Sequence, residues 1–229
     1  MLPSVLRQRT CRNNKNALGR FLFMKTLYCF LGFFAFAQLH GQKLVKKALI
    51  NPETEYIQID SQHCYDVKLH TSNTKEVRVM ASIEGEYSKD LLVNMEESGA
   101  TMLISAGFQP NFSNPNDKLS AHKVISIALD IILPEYREVL VYGTNSNVLV
   151  NGKYKNLEVK LSDGRCVIDN VAETVEVTTQ KGDILLMTSN GNIVAKSTYG
   201  KVLEENIPNG HNLYKLNTIE GTIRLKKTK

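Results

Sequence analysis

The chain has no tryptophan, and among its 229 residues there are only four cysteines and six prolines. Two of the cysteines, Cys11 and Cys29, fall within the first forty residues, so the remainder carries just Cys64 and Cys166. No two cysteines stand at C-x-x-C spacing, and His63, His70, His122 and His211 are scattered. That pattern points away from a structural zinc site, and no cofactor is expected. Two cysteines so far apart are a weak disulfide signal. A Cys64–Cys166 bridge and two separate thiols both stay open, the second being favoured.

Acidic residues are missing from positions 1–37, where six basic ones stand: Arg7, Arg9, Arg12, Lys15, Arg20 and Lys25. The formal net charge of +5 originates there, because the rest of the chain holds 22 basic against 23 acidic residues. Nothing beyond that stretch combines a basic patch with interleaved aromatics, so nucleic acid is not an expected partner.

Inside the same stretch, MKTLYCFLGFFAFAQ begins at Met24 with a lysine, continues as an apolar run, and offers Ala35-x-Ala37 before Gln38. These are the three regions of a secretory signal peptide, assigned to residues 24–37 with cleavage possible as far as Gly41. The apolar run is too short to span a bilayer, and no transmembrane segment is expected in the mature chain. Residues 1–23 read as an extension upstream of Met24. The protein is therefore expected to be exported, to the periplasm, the cell surface or the medium.

What the remainder does have is a repeat. The strings EVLVYGTNSNVLV, NLEVKLSDGRCVI, TVEVTTQKGDILL and NIVAKSTYGKVLE superimpose on Ser146, Gly164, Gly182 and Gly200, at intervals of eighteen. LYKLNTIEGTIRL repeats the pattern at Gly221 after a gap of twenty-one. Seven residues before the turn stand Val139, Leu157, Val175, Ile193 and Tyr214; two after it stand Val148, Cys166, Ile184, Val202 and Ile223. Residues between these columns are mostly polar, the period-2 pattern of strands with one buried face.

Such a period predicts a single-domain, all-β, parallel β-solenoid with coils of roughly eighteen residues, each burying its apolar face against its neighbours. Coils stacked in chain order place Ile184 between Cys166 and Val202. Glycine at the turns is attributed to a positive φ. Four residues after the turn, Glu204 stands where Val150, Ile168, Leu186 and Leu225 stand elsewhere, so the path is expected to leave the coil there.

Regular coils are assigned to residues 136–229 and a more irregular β region to 43–135. In the latter EYIQID, YDVKLHT, EVRVMASIEGEY, DLLVNMEE and TMLISAGF alternate as strands. HKVISIALDIIL reads as a buried strand pair. GFQPNFSNPNDKLSA, residues 107–121, has no strand period and is expected to be a projecting loop. Its candidate binding residues are Phe108 and Phe112 for apolar area, and Asn111, Asn114, Asn116, Asp117 and Lys118 for polar contacts. Pro110 and Pro115 would limit its freedom. Inward folding of both phenylalanines, as a cap, is weighed equally.

The leader together with TTQKGDILLMTSNGNIVAKSTYG resembles the exported bacterial putative-adhesin families of Bacteroidetes type. The resemblance covers most of residues 48–229 and implies a right-handed β-solenoid and a binding role, with no catalytic residues. The expected function is thus a non-catalytic adhesin-like binding or structural module of the cell envelope, its partner an envelope protein or a glycan. The alternative is a β-helix enzyme acting on polysaccharide. That would need clustered acids and bases, whereas Asp163, Asp169 and Asp183 read as turn or solvated residues.

Overall fold

A computed structural model describes residues 42–85, 91–109 and 126–228, so the leader assigned to 24–37 and the extension before it lie outside the described residues. The described residues belong to one compact unit, Gly41–Lys229. They form β1 (Gln42–Leu49), β2 (Tyr56–Asp60), β3 (Asp66–Ser72), β4 (Glu76–Glu84), β5 (Leu91–Ser98), β6 (Thr101–Phe108), β7 (Ser126–Pro134) and β8 (Glu138–Asn145). Then come the long β9 (Asn147–Asp163) and β10 (Arg165–Thr179), followed by β11 (Asp183–Thr188), β12 (Asn192–Ser197), β13 (Val202–Glu204), β14 (Leu213–Thr218) and β15 (Ile223–Lys227).

The protein is all-β, with parallel and antiparallel pairs mixed. One row of strands runs β1-β4-β7-β3-β9-β10-β11-β15-β13. A second runs β5-β6-β2-β8-β9-β10-β14-β12. Strands β9 and β10 are long enough to contribute one half to each row. Alternate side chains from both rows meet in one apolar core, which includes Val139, Leu157, Val175 and Tyr214 from one sequence column and Cys166, Ile184 and Ile223 from another. Period-2 alternation thus becomes a buried face, as the physics of a pleated strand requires.

Four features differ from the sequence reading. First, β1–β4, β4–β7 and β5–β6 are antiparallel. Only Gly99 and Ala100 separate β5 from β6, and so short a link can join only antiparallel neighbours. Second, the described part of HKVISIALDIIL forms the single strand β7 rather than a pair. Third, the irregular β region opens with β1, ahead of EYIQID, the first strand that the alternation predicts.

The fourth difference is the order of the last strands. Cys166 does pair with Ile184, but the other neighbour of Ile184 is Ile223, not Val202. Val202 lies beyond Ile223. In the second row Tyr214 likewise sits between Val175 and Ile193. The final repeat has been inserted beneath the one that precedes it.

Glu204 supplies the physical reason. Stacking in chain order would place its carboxylate between Leu186 and Leu225 in the interior row, at a cost of several kcal/mol without a partner. The observed order instead puts Leu225 beside Leu186 and leaves Glu204 exposed at the rim. Tyr214 gains by the same exchange. Fully buried, it donates a hydrogen bond from its hydroxyl to the Val171 carbonyl at 2.6 Å.

The turns stack in the same interleaved order, Ser146, Gly164, Gly182, Gly221 and Gly200. Among these glycines only Gly164 has a positive φ, of 98°. The others are required by close approach. A Cβ on Gly182 would meet the Gly164 carbonyl oxygen at 2.6 Å, and one on Gly221 or Gly200 would run into the carbonyl of the turn beneath. Thr179 and Thr218 brace this column: the Thr179 hydroxyl donates to the Gly182 carbonyl at 2.7 Å and lies 2.9 Å from the Thr218 hydroxyl.

Candidate binding surface

Of the loop residues singled out in the sequence, Phe108 is described; Pro110, Asn111, Phe112, Asn114, Pro115, Asn116, Asp117 and Lys118 lie outside the described residues. Phe108 ends β6, opposite Leu91 of β5, and is 37% exposed. His63 lies at the same corner, its imidazole against the Cα side of Gly107.

At the other end of β6, about 23 Å along the strand from Phe108, the outer face of the second row holds a shallow groove of 280 Å³. It arises from outward residues on four adjacent strands. Thr101 comes from β6, Tyr56 and Gln58 from β2, Glu138 and Leu140 from β8, and Asn156 and Glu158 from β9. Because alternate residues share a face, these are the partners left over when Ile57, Val139 and Leu157 turn inward. Register brings Tyr56 beside Thr101 on one side and Glu138 on the other, with Asn156 next to Glu138. The structure does not bring Phe108 together with this groove.

The groove offers an exposed aromatic face, two amides, a hydroxyl and two carboxylates. Tyr56 is 46% exposed. Each carboxylate already has a cation: Lys155 lies 2.6 Å from Glu138, and Lys160 lies 2.6 Å from Glu158. The hydrogen bond to Glu138, with its charge, raises the pKa of Lys155. In both pairs the lysine is exposed and the glutamate half-buried at the surface, so their role is to set local charge rather than to add much stability. Sequence reasoning missed these residues, which appear only as the polar half of ordinary strands.

Of the three aspartates weighed for catalysis, Asp163 and Asp183 serve turns and Asp169 stands at an irregularity within β10. Asp163 accepts the Gly164 amide at 2.6 Å and Asp169 the Asn170 side-chain amide at 2.9 Å. Asp183 accepts the Thr222 amide at 2.8 Å and pairs with Arg224 at 2.9 Å. That backbone bond above all, then Arg224, holds the Asp183 carboxyl below the ordinary carboxylate range. Among the described residues no group of three or more His, Cys, Asp and Glu side chains could hold a metal ion. No helix among them is long and apolar enough to cross a membrane. Cys64 and Cys166 are free, buried thiols. Burial pushes both up to about 12, with the Asp60 carboxylate adding to the effect at Cys64.

No family model matches the chain, and no curated protein matches it. Solved structures do. A "putative cell adhesion protein" from Clostridium sporogenes superimposes with a TM-score of 0.52 at 14% identity, over 82% of this chain and 100% of that one. The two share a fold. A "putative adhesin" from Bacteroides fragilis, 11% identical, gives a TM-score of 0.34 over 83% of this chain and 99% of its own. A "Putative lipid binding protein" from Parabacteroides distasonis, 12% identical, gives 0.23 over 83% and 98%.

Proposed function

We propose that the chain is an exported, non-catalytic, adhesin-like binding module of the cell envelope. In this reading the eighteen-residue repeats form a β-solenoid over residues 136–229, preceded by the irregular β region of 43–135, whose β1, β4 and β5 pair antiparallel. The mature protein starts at Gln38, or as late as Gln42, after removal of the leader. The observation that carries the binding role is the groove around Tyr56. An exposed aromatic ring beside Gln58, Asn156 and Thr101 provides a stacking face and paired donors and acceptors, the chemistry that recognises a sugar ring. Its carboxylates are engaged by lysines, which favours recognition over acid–base chemistry. The clostridial protein whose fold it shares bears a cell-adhesion name, and the reading extends that role to this chain. The loop at Gly107–Ala121, through Phe108, Pro110, Asn111, Phe112, Asn114, Asn116, Asp117 and Lys118, would form a second contact surface.

Glycan-array binding and attachment to cells, compared across variants, test this. Tyr56→Ala combined with Asn156→Ala is expected to leave the melting temperature unchanged and to weaken glycan binding roughly tenfold or more, the loss of a central aromatic anchor. Replacing Pro110–Lys118 by a short Gly/Ser linker reports on the loop separately. Full binding by the double variant would refute the groove as the site. A large drop in stability on loop replacement would mark the loop as a cap instead.

A further inference from the structure

The two ends of the first strand row match each other residue by residue. Among the described residues β1 pairs with β4 alone and β13 with β15 alone, so each closes one end of the nine-strand order. Three rows of side chains can be followed from end to end through the registers of adjacent strands. One runs Leu44, Ala81, Leu129, Val67, Val148, Cys166, Ile184, Ile223, Val202. The next begins at Val45 and ends at Leu203, and the third begins at Lys46 and ends at Glu204. Strands β1 and β13 run in the same direction, because each stands parallel to β3 through this ladder.

The end residues are complementary in every row. Leu44 and Val202 are half-buried apolar residues that pack on the core, each with a strand partner on one side only among the described residues. Val45 and Leu203 are outward and apolar, 48% and 51% exposed. Lys46 and Glu204 carry opposite charges at the ends of a row whose other members, such as Ile131, Ile168 and Leu186, are buried. A charge on the inward side of an edge strand deters strand addition when the incoming edge brings the same charge or none. Two β1 edges, or two β13 edges, would oppose Lys46 to Lys46 or Glu204 to Glu204 in the centred register, and the charge to an apolar residue in a shifted one. Only a β1 edge on a β13 edge pairs them.

We propose that β13 of one copy of this chain receives β1 of a second copy as its next parallel strand, so that copies stack head to tail. The partner is fixed by the row matching: apolar on apolar twice, and lysine on glutamate once. The contact uses different surfaces on the two copies, so it propagates as an open chain or closes as a ring rather than stopping at a symmetric dimer. Because β13 offers three residues, single contacts are weak, and assembly depends on the local concentration of copies. This surface is independent of the groove around Tyr56.

Site-directed cross-linking tests the match. Parallel neighbours place Cα atoms about 4.8 Å apart, within disulfide reach. Within one molecule, Val45 and Leu203 are eight strand spacings apart, roughly 38 Å, so a bond between them must join two copies. The native thiols are buried and suppressed, which keeps the background low. Val45→Cys and Leu203→Cys variants, each expressed with the leader in an exporting host, are mixed and oxidised at increasing concentration. The expected product is the mixed disulfide, in clear excess over either homodimer. Lys46→Glu in the first variant should reduce its yield roughly tenfold, and adding Glu204→Lys to the second should restore it. Absence of the mixed disulfide at all concentrations, homodimers in equal amount, or no rescue by charge exchange would each overturn the proposal.

Discussion

Replacing Gly182 by alanine separates two explanations for a repeating turn glycine. If the turn needs a positive φ, alanine fails by backbone strain; if it needs close approach, alanine fails by collision. Gly182 has no positive φ, and its added methyl would sit 2.6 Å from the Gly164 carbonyl oxygen and 3.4 Å from Thr179 Cβ. The first is backbone of a stacked turn and the second belongs to a buried, hydrogen-bonded threonine, so neither can swing aside. Separating the turns by the missing fraction of an ångström also strains the bonds from Thr179 and Thr218 to the Gly182 carbonyl, now 2.7 and 3.3 Å. Overpacking of this kind costs about 1–3 kcal/mol, and each weakened hydrogen bond adds about 0.5–1 kcal/mol. The reduced entropy of the unfolded chain returns about 0.4–1 kcal/mol. The net loss is about 2–3 kcal/mol, a fall of about 5–10 °C in a domain of this size. Gly99, with φ of 59° and nothing within 4 Å of a Cβ, is the matched control for strain alone, at about 1–2 kcal/mol. Thermal and urea melts followed by far-UV circular dichroism give the comparison. Equal stability of Gly182→Ala and the native protein, or a larger loss for Gly99→Ala, would refute the stacked-turn argument.

Ile184→Asp should cost more than about 4 kcal/mol by burying a charge between Cys166 and Ile223. Lys181→Asp, at an exposed position facing Glu220, should cost less than about 1 kcal/mol by the same melts. Cys64 and Cys166 should resist a thiol reagent at pH 8 in the folded protein and react fully in urea. Their raised folded pKa values mean that the native state holds its thiol protons more tightly than the unfolded one. The stability they contribute is therefore complete below the ordinary thiol pKa, about 8.5, and falls as pH rises toward 12. Urea melts at pH 7 and pH 10 check the direction; a more stable protein at pH 10 would contradict it.

Much of this protein was legible in its residues because the signal is local. Alternation of Leu157, Val159, Val175 and Val177 with polar neighbours decides which face of each strand is buried. The interval of eighteen through Leu157, Val175 and Ile193, stretched to twenty-one before Tyr214, decides the register in which strands meet. Strand order is a different kind of information. Every repeat presents an apolar inner row of the same spacing, so any repeat can lie on any other, and the pattern names no neighbour. The choice falls to side chains that are exceptional in the assembled core. Glu204 is tolerated only at a rim, while Tyr214 is worth most inside, where its hydroxyl finds the Val171 carbonyl. Glu204 was visible as an exception in the sequence, but its consequence depends on a chain reversal of position that no local pattern encodes. The groove around Tyr56 was invisible for the complementary reason. Its residues come from four strands distant in sequence, and each is an unremarkable outward side chain until pairing sets them side by side.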